Sequence, residues 1–285
     1  MPARWRSENR LSDTTHGVEM TLGFSVDELL PRARGGGVLK MGLAKLHEGE
    51  WLEPDPDLEA RVAGFTAYPQ GIQLSPESEA PGAELATMLG LSGGLPEAAA
   101  AHHEDMCLLT LRPDEDQCRL VGAAVAWPSD WTPADKLGLP LRALHASIQG
   151  YEEQLASGVD HFMAKLKPGA IYGRCNWFIA TTGDKRWVAE PPERAFGHVT
   201  PENAGETLFV RSERQTLRRL PETGAILFTI GIYVSPLGEL SQDNQQRLAH
   251  AIASLIEGEG DRRGAGAYAE ALIGYAARQR EEIKG

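Results

Sequence analysis

The chain has 285 residues, 42% of them hydrophobic and 24% charged, which is enough apolar material for a full core. Its formal net charge of -12 at pH 7 excludes recognition of nucleic acid through a basic field over the whole molecule. No apolar run reaches the roughly 18 residues that a membrane span needs, Met1–Met20 lacks the apolar stretch of a secretory signal, and three cysteines without metal-like spacing fit a reducing cytoplasm better than a disulfide framework.

Residues 1–37 read as a tail and lead-in loop that ends in the flexible Gly35-Gly36-Gly37. Val38–Leu46 is apolar and extended. A short helix is predicted near Asp57–Phe65, a turn-rich stretch over Pro69–Pro81, and helical patches over Gly82–Leu91 and Leu95–Glu104. Met106–Arg112 and Arg119–Trp127 form a hairpin. Thr132-Pro133 opens a short helix. Ile148, Tyr151, Leu155, Val159, Phe162, Met163 and Leu166 recur near every 3.6 residues, which predicts a helix over Ser147–Leu166. Ile171–Thr181 is a strand, and Leu208–Leu220 with Ala225–Val234 forms a second hairpin across Pro221–Gly224. Helices over Asn244–Glu257 and Ala265–Ile283 close the chain. Strands in hairpins and helices in blocks predict an α+β fold with an antiparallel sheet and helical additions at both ends.

Common catalytic fingerprints are absent. There is no Gly-x-Gly-x-x-Gly, P-loop, His-Glu-x-x-His or Cys-x-x-Cys. Any redox chemistry must draw its electrons from elsewhere. Cys107 and Cys175 sit in apolar strand-like runs and read as buried, inert thiols. His145 lies three residues before Ile148, where a helical extension would place it on the apolar face. There it suits an axial ligand to haem iron or, alternatively, a core histidine bonded to a backbone carbonyl. His102-His103 reads as a solvated pair in a surface turn.

Arg211–Leu220 holds Arg211, Arg214, Arg218 and Arg219 in an otherwise acidic chain. Strand alternation puts Arg211 and Glu213 on one face and Arg214 and Arg218 on the other. Such guanidinium groups suit anions such as haem propionates, or salt bridges on a solvent-facing strand. Glu213 suits an arginine partner or a cationic amine. Arg174 and Asn176 share one face of their strand, and Trp177 takes the other, as a cofactor-pocket wall or a core aromatic.

These segments resemble the catalytic, haem-binding subunit of the haem-dependent oxidative N-demethylases. The resemblance runs from Met41 to Leu240. It is carried by Met41-Gly42-Leu43, Trp51-Leu52 with Asp57, Trp127-Pro128-Ser129-x-Trp131, Lys136-Leu137-Gly138, Leu144-His145, Arg174-x-Asn176-Trp177 and, most specifically, Arg211-x-Glu213-Arg214-Gln215-Thr216-Leu217-x-Arg219-Leu220-Pro221 running into Ile226–Ile230. It implies a PAS-like haem domain over residues 38–240, with residues 241–285 as helices packed on it. It implies haem b held by His145, with Arg174, Trp177, Arg211, Arg214 and Arg218 around it and Glu213 as the catalytic carboxylate. The implied reaction removes a methyl group from a small secondary amine with O2 and releases formaldehyde. Electrons would come from NADPH through FMN and 2Fe-2S on a partner reductase, in the cytoplasm, with no nucleic acid or membrane involved. A PAS-type haem or small-ligand sensor without turnover is the alternative.

Overall fold

The computed structural model describes residues 22–33, 39–255 and 257–282. Residues 1–21 of the predicted tail, the Gly35–Gly37 break and Ile283 lie outside them, whereas residues 22–33 depart from the expected loose lead-in: they form a short helix at Val26–Leu29 and bury Leu22, Val26, Leu29 and Leu30 in the core. The protein is α+β, as expected. Strands β1 (Ala44–Leu46), β2 (Ile72–Leu74), β3 (Asp105–Thr110), β4 (Arg119–Ala124), β5 (Ile171–Ala180), β6 (Phe209–Arg219) and β7 (Ile226–Pro236) form one sheet in the order β1-β5-β6-β7-β3-β4-β2. Every strand pair in it is antiparallel.

β6 and β7 pair along their whole length, from Phe209↔Pro236 to Arg219↔Ile226. Their turn closes where Leu220 N–H donates to the Ala225 carbonyl at 2.8 Å. Gly224 takes φ +72° there, a left-handed conformation that other residues adopt only at a steric cost.

The strand and helix signals hold to within a few residues, with three exceptions. Of the extended segment expected at Val38–Leu46, the described residues 39–46 pair only over Ala44–Leu46. The turn-rich Pro69–Pro81 contains β2, which is only three residues long and joins β4. The helix expected from Ser147 starts at Tyr151, because Gly150 turns the chain at φ +77°. It then runs through a π-turn at Glu152–Ala156 before the regular helix Ser157–Lys165.

The sheet is covered on both faces. On one, Trp177, Ile179 and Val210 pack against Leu248 and Ile252 of helix Gln242–Ala253 and Leu272 and Ala276 of helix Ala269–Glu282. Cys175 and Leu227, on the same face, join a second cluster with Leu29, Leu85 and Leu95. Each large apolar side chain fully buried this way contributes roughly 1.5–3 kcal/mol. On the other face, Tyr172, Leu217 and Phe228 pack against Leu144, Val159, Phe162 and Met163. Among the described residues no helix is long and apolar enough to cross a membrane.

Candidate functional site

Cross-strand partners share a face. One face of the central strands therefore presents Arg174 and Asn176 from β5, Gln215, Glu213 and Arg211 from β6, and Ile230 and Ile232 from β7. The opposite face presents Cys175 and Trp177, then Arg214, Thr216 and Arg218, then Thr229 and Tyr233. The first face is the one that helix Ser157–Lys165 and the short helix Leu141–Leu144 cover. Many of its apolar residues, among them Trp131, Leu144, Val159, Phe162, Tyr172, Leu217 and Phe228, are only partly buried. Its cover is looser than that of the opposite face.

His145 caps the C-terminus of helix Leu141–Leu144 instead of extending the long helix. Its Nδ1 lies 2.8 Å from the Leu141 carbonyl and must donate to it, because that oxygen only accepts. Nε2 then carries the lone pair of the neutral ring. The imidazole is half-buried and stacks on Tyr151, with ring centroids 4.5 Å apart at 14°. Desolvation pushes its pKa down, and the positive charges of Arg174 and Lys136 push it further down. An imidazole with one nitrogen fixed by a carbonyl and the other open has the geometry that could hold a metal.

Arg174 is the second such group. It is half-buried, burial lowers its pKa, and its guanidinium has no hydrogen-bond or ion-pair partner among the described residues. The charge of Glu213 offsets part of that shift, and the donors are left to water or a ligand.

The remaining arginines are placed differently from the expectation. Arg214 is fully buried on the opposite face. It donates to the backbone carbonyls of Leu22, Gly23, Trp51 and Glu50 and stacks over Phe24. Arg218, on the same side, pairs with Glu48 at 2.5 Å and lies over Trp51. Arg211 shares the face of Glu213, but its donors go to Ser129 Oγ, the Asp184 carbonyl and the Trp127 carbonyl. Trp177 is buried under the C-terminal helices. The structure thus groups His145, Arg174 and Glu213 on one side of the sheet and sets Trp177, Arg214 and Arg218 on the other. The buried arginines clamp irregular segments to the sheet, because carbonyls outside helices and strands need donors.

Glu213 is 7% exposed. Asn176 Nδ2 and Gln215 Nε2 both donate to its Oε2, at 3.3 and 2.9 Å. Oε1 takes no hydrogen bond among the described residues.

A second polar cluster escaped the sequence reading. His103, expected to be solvated, is 6% exposed and sandwiched between Trp127 and Tyr233. Its Nε2 donates to the Ile232 carbonyl at 3.0 Å, and burial first, then Lys185, pushes its pKa down to about 4. Beside it, Glu104 is fully buried. Its Oε1 accepts from Glu53 N–H at 2.8 Å, and its Oε2 has no partner among the described residues. Desolvation pushes its pKa up to about 7. Asp105 accepts from Arg61 at 2.6 Å and from the N–H groups of Ala126 and Trp127. The only local sequence signal was the run His103-Glu104-Asp105 leading into an apolar strand, where charges need partners. Near this cluster a groove of about 530 Å³ is lined by Trp127, Lys185, Arg186 and Trp187, and neither His145 nor Arg174 lines it.

The shifts in this cluster give stability a definite pH dependence. Glu104 holds its proton more tightly in the folded state, so its contribution is present at low pH and is lost as pH rises from its ordinary value through about 7. His103 does the opposite: its folded value is depressed, so its contribution is lost as pH falls from about 6.5 through about 4. Glu104→Gln should raise stability above pH 7 by on the order of 3 kcal/mol and flatten the decline between pH 5 and 7. Urea unfolding midpoints measured across that range would show it, and an unchanged slope would contradict it.

Residues 91–273 match the family model described as haem-dependent oxidative N-demethylase, alpha subunit-like. The match covers more than half of the chain and includes His145, Arg174 and Glu213. The chain belongs to this family.

Proposed function

From that membership, we propose that the protein is the haem-carrying subunit of an enzyme that oxidatively removes a methyl group from a small secondary amine. Haem dependence and an oxidative reaction come with the family. The residues present fit the group: an imidazole with an open nitrogen on the covering helix, a guanidinium without a hydrogen bond among the described residues and partly exposed aromatic side chains lie on the same side of the sheet. The observation that carries this reading is Arg174, a half-buried guanidinium that makes no hydrogen bond or ion pair among the described residues and is offset in part by the nearby charge of Glu213, which suits an anionic ligand such as a propionate. The PAS-like body over residues 38–240 belongs to the same proposal.

Haem b, when bound, supplies the activation of dioxygen. The protein's own residues do the rest. His145 would hold the iron through Nε2 while the Leu141 carbonyl and the Tyr151 ring fix its plane. Arg174 would take a propionate. Glu213 would receive the ammonium form of the amine at Oε1 and return its proton to the site. Trp131, Phe162 and Phe228 would keep water from the reacting methyl group. Per turnover, the methylated amine, O2, two electrons and two protons yield the shorter amine, formaldehyde and water. The chain shows no dinucleotide or iron–sulfur fingerprint, so a partner reductase with FMN and 2Fe-2S, fed by NADPH, would deliver the electrons.

The test is direct. Full-length protein produced with a haem precursor, then mixed with such a reductase, NADPH and dimethylamine, should release about one formaldehyde per O2 consumed. Haem-loaded protein that consumes no O2 and releases no formaldehyde would reject the enzyme reading.

A further inference from the structure

Building on the reading of Glu213 as the receptor of the amine, we propose that Arg263 is a positioning residue. It locks the Asn176 amide so that Glu213 offers one unshared carboxylate oxygen to the cation of a small protonated amine.

Arg263 follows the short helix Glu257–Arg262, and Gly264 ends that turn at φ +62°. The Arg263 side chain is 6% exposed and lies over the Trp177 ring at 4.4 Å. Its three nitrogens have separate partners. Nε donates to Glu259 Oε1 at 2.7 Å, Nη1 to the Trp177 carbonyl, and Nη2 to Asn176 Oδ1 at 3.3 Å. Arg263 thereby covers the edge of β5 beyond Gly173, where β1 no longer pairs.

The orientation of Asn176 follows from this contact. A guanidinium only donates, so the amide must turn its oxygen toward Arg263 and its NH2 toward Glu213. The Glu213 carboxylate only accepts and so selects the same orientation, and the two contacts together hold the amide in one plane. Fixed as it is, Asn176 joins Gln215 in donating to Oε2 of Glu213. Both donors lie on one oxygen, and Oε1 remains open. A hydrogen-bonded chain therefore runs from Glu259 through Arg263 and Asn176 to Glu213, linking the C-terminal segment to the opposite sheet face. That segment is then part of the site and does more than pack against the sheet.

The experiment uses haem-loaded, full-length protein titrated with dimethylamine, followed by the visible spectrum, together with steady-state kinetics. Asn176→Asp keeps an acceptor for Arg263 but removes the donor to Glu213. Arg263→Met removes the lock itself. Each should raise the dissociation constant and KM for dimethylamine by about tenfold, leave kcat within about threefold, and leave the haem spectrum without amine unchanged. Glu213→Gln should weaken dimethylamine binding at least as much. If Glu213→Gln weakens binding and Asn176→Asp does not, Glu213 acts without the chain and the inference is wrong while the functional reading stands. If Glu213→Gln itself binds dimethylamine normally, both the receptor reading and the inference fall. Should Arg263→Met not fold, Asn176→Asp decides.

Discussion

His145→Ala should lower haem retention by more than about 100-fold and erase the Soret band expected of the intact, haem-loaded chain. The expectation rests on the proposed ligand role and on the geometry around the ring. Nδ1 is committed to the Leu141 carbonyl, and Tyr151 stacks on the imidazole, so Nε2 is presented in one orientation. Loss of an outer partner of a metal-bound histidine already costs about 10–100-fold in affinity, and loss of the ligand itself costs more. His103 provides the control. Its Nε2 is the nitrogen that donates, to Ile232, which leaves only the Nδ1 beside the backbone, where a flat macrocycle meets steric crowding. His103→Ala should keep the Soret band. The reverse pattern, with haem lost from the His103 variant and kept by the His145 variant, would move the ligand to the Trp127–Tyr233 cluster.

Arg61→Met should cost about 3–5 kcal/mol of stability. Arg61 is fully buried between the rings of Phe65 and Trp127. It donates to the carbonyls of Ala99 and Glu104 and to Asp105 at 2.6 Å. Removing it leaves the Asp105 carboxylate buried without its counter-charge, which is far more costly than the pair is stabilising. Domains of ordinary stability hold about 5–15 kcal/mol in all, so this single change removes a large share. The double variant Arg61→Met with Asp105→Asn should lose at least about 1 kcal/mol less than the two single losses added together. The substituted amide retains an oxygen for the Ala126 N–H and carries no charge. Urea unfolding of the four proteins measures this, and strict additivity would show that the two groups do not interact.

The sequence by itself determined the long strands, the two hairpins and the α+β class, though not the three-residue β2, because alternation and turn chemistry are local. Leu208–Leu220 and Ala225–Val234 are legible around Pro221–Gly224 for that reason, and the same alternation separated Arg211 and Glu213 from Arg214 and Arg218. It also placed His145 and Arg174 among the candidates. Only the tertiary structure decided which of these charges remain open. Arg214 finds its acceptors at Leu22, Gly23, Glu50 and Trp51, far away in the chain, where no spacing rule reaches. His103 looked solvated beside a run of alanines, yet it is buried because β7 brings Tyr233 and the Ile232 carbonyl against it. Arg263 had no local signal at all, since its role depends on the exposed edge of β5, almost ninety residues earlier in the chain. Burial and partnership are set by long-range contacts. A sequence can therefore nominate a charged residue, and the fold determines whether it clamps the backbone or faces a ligand.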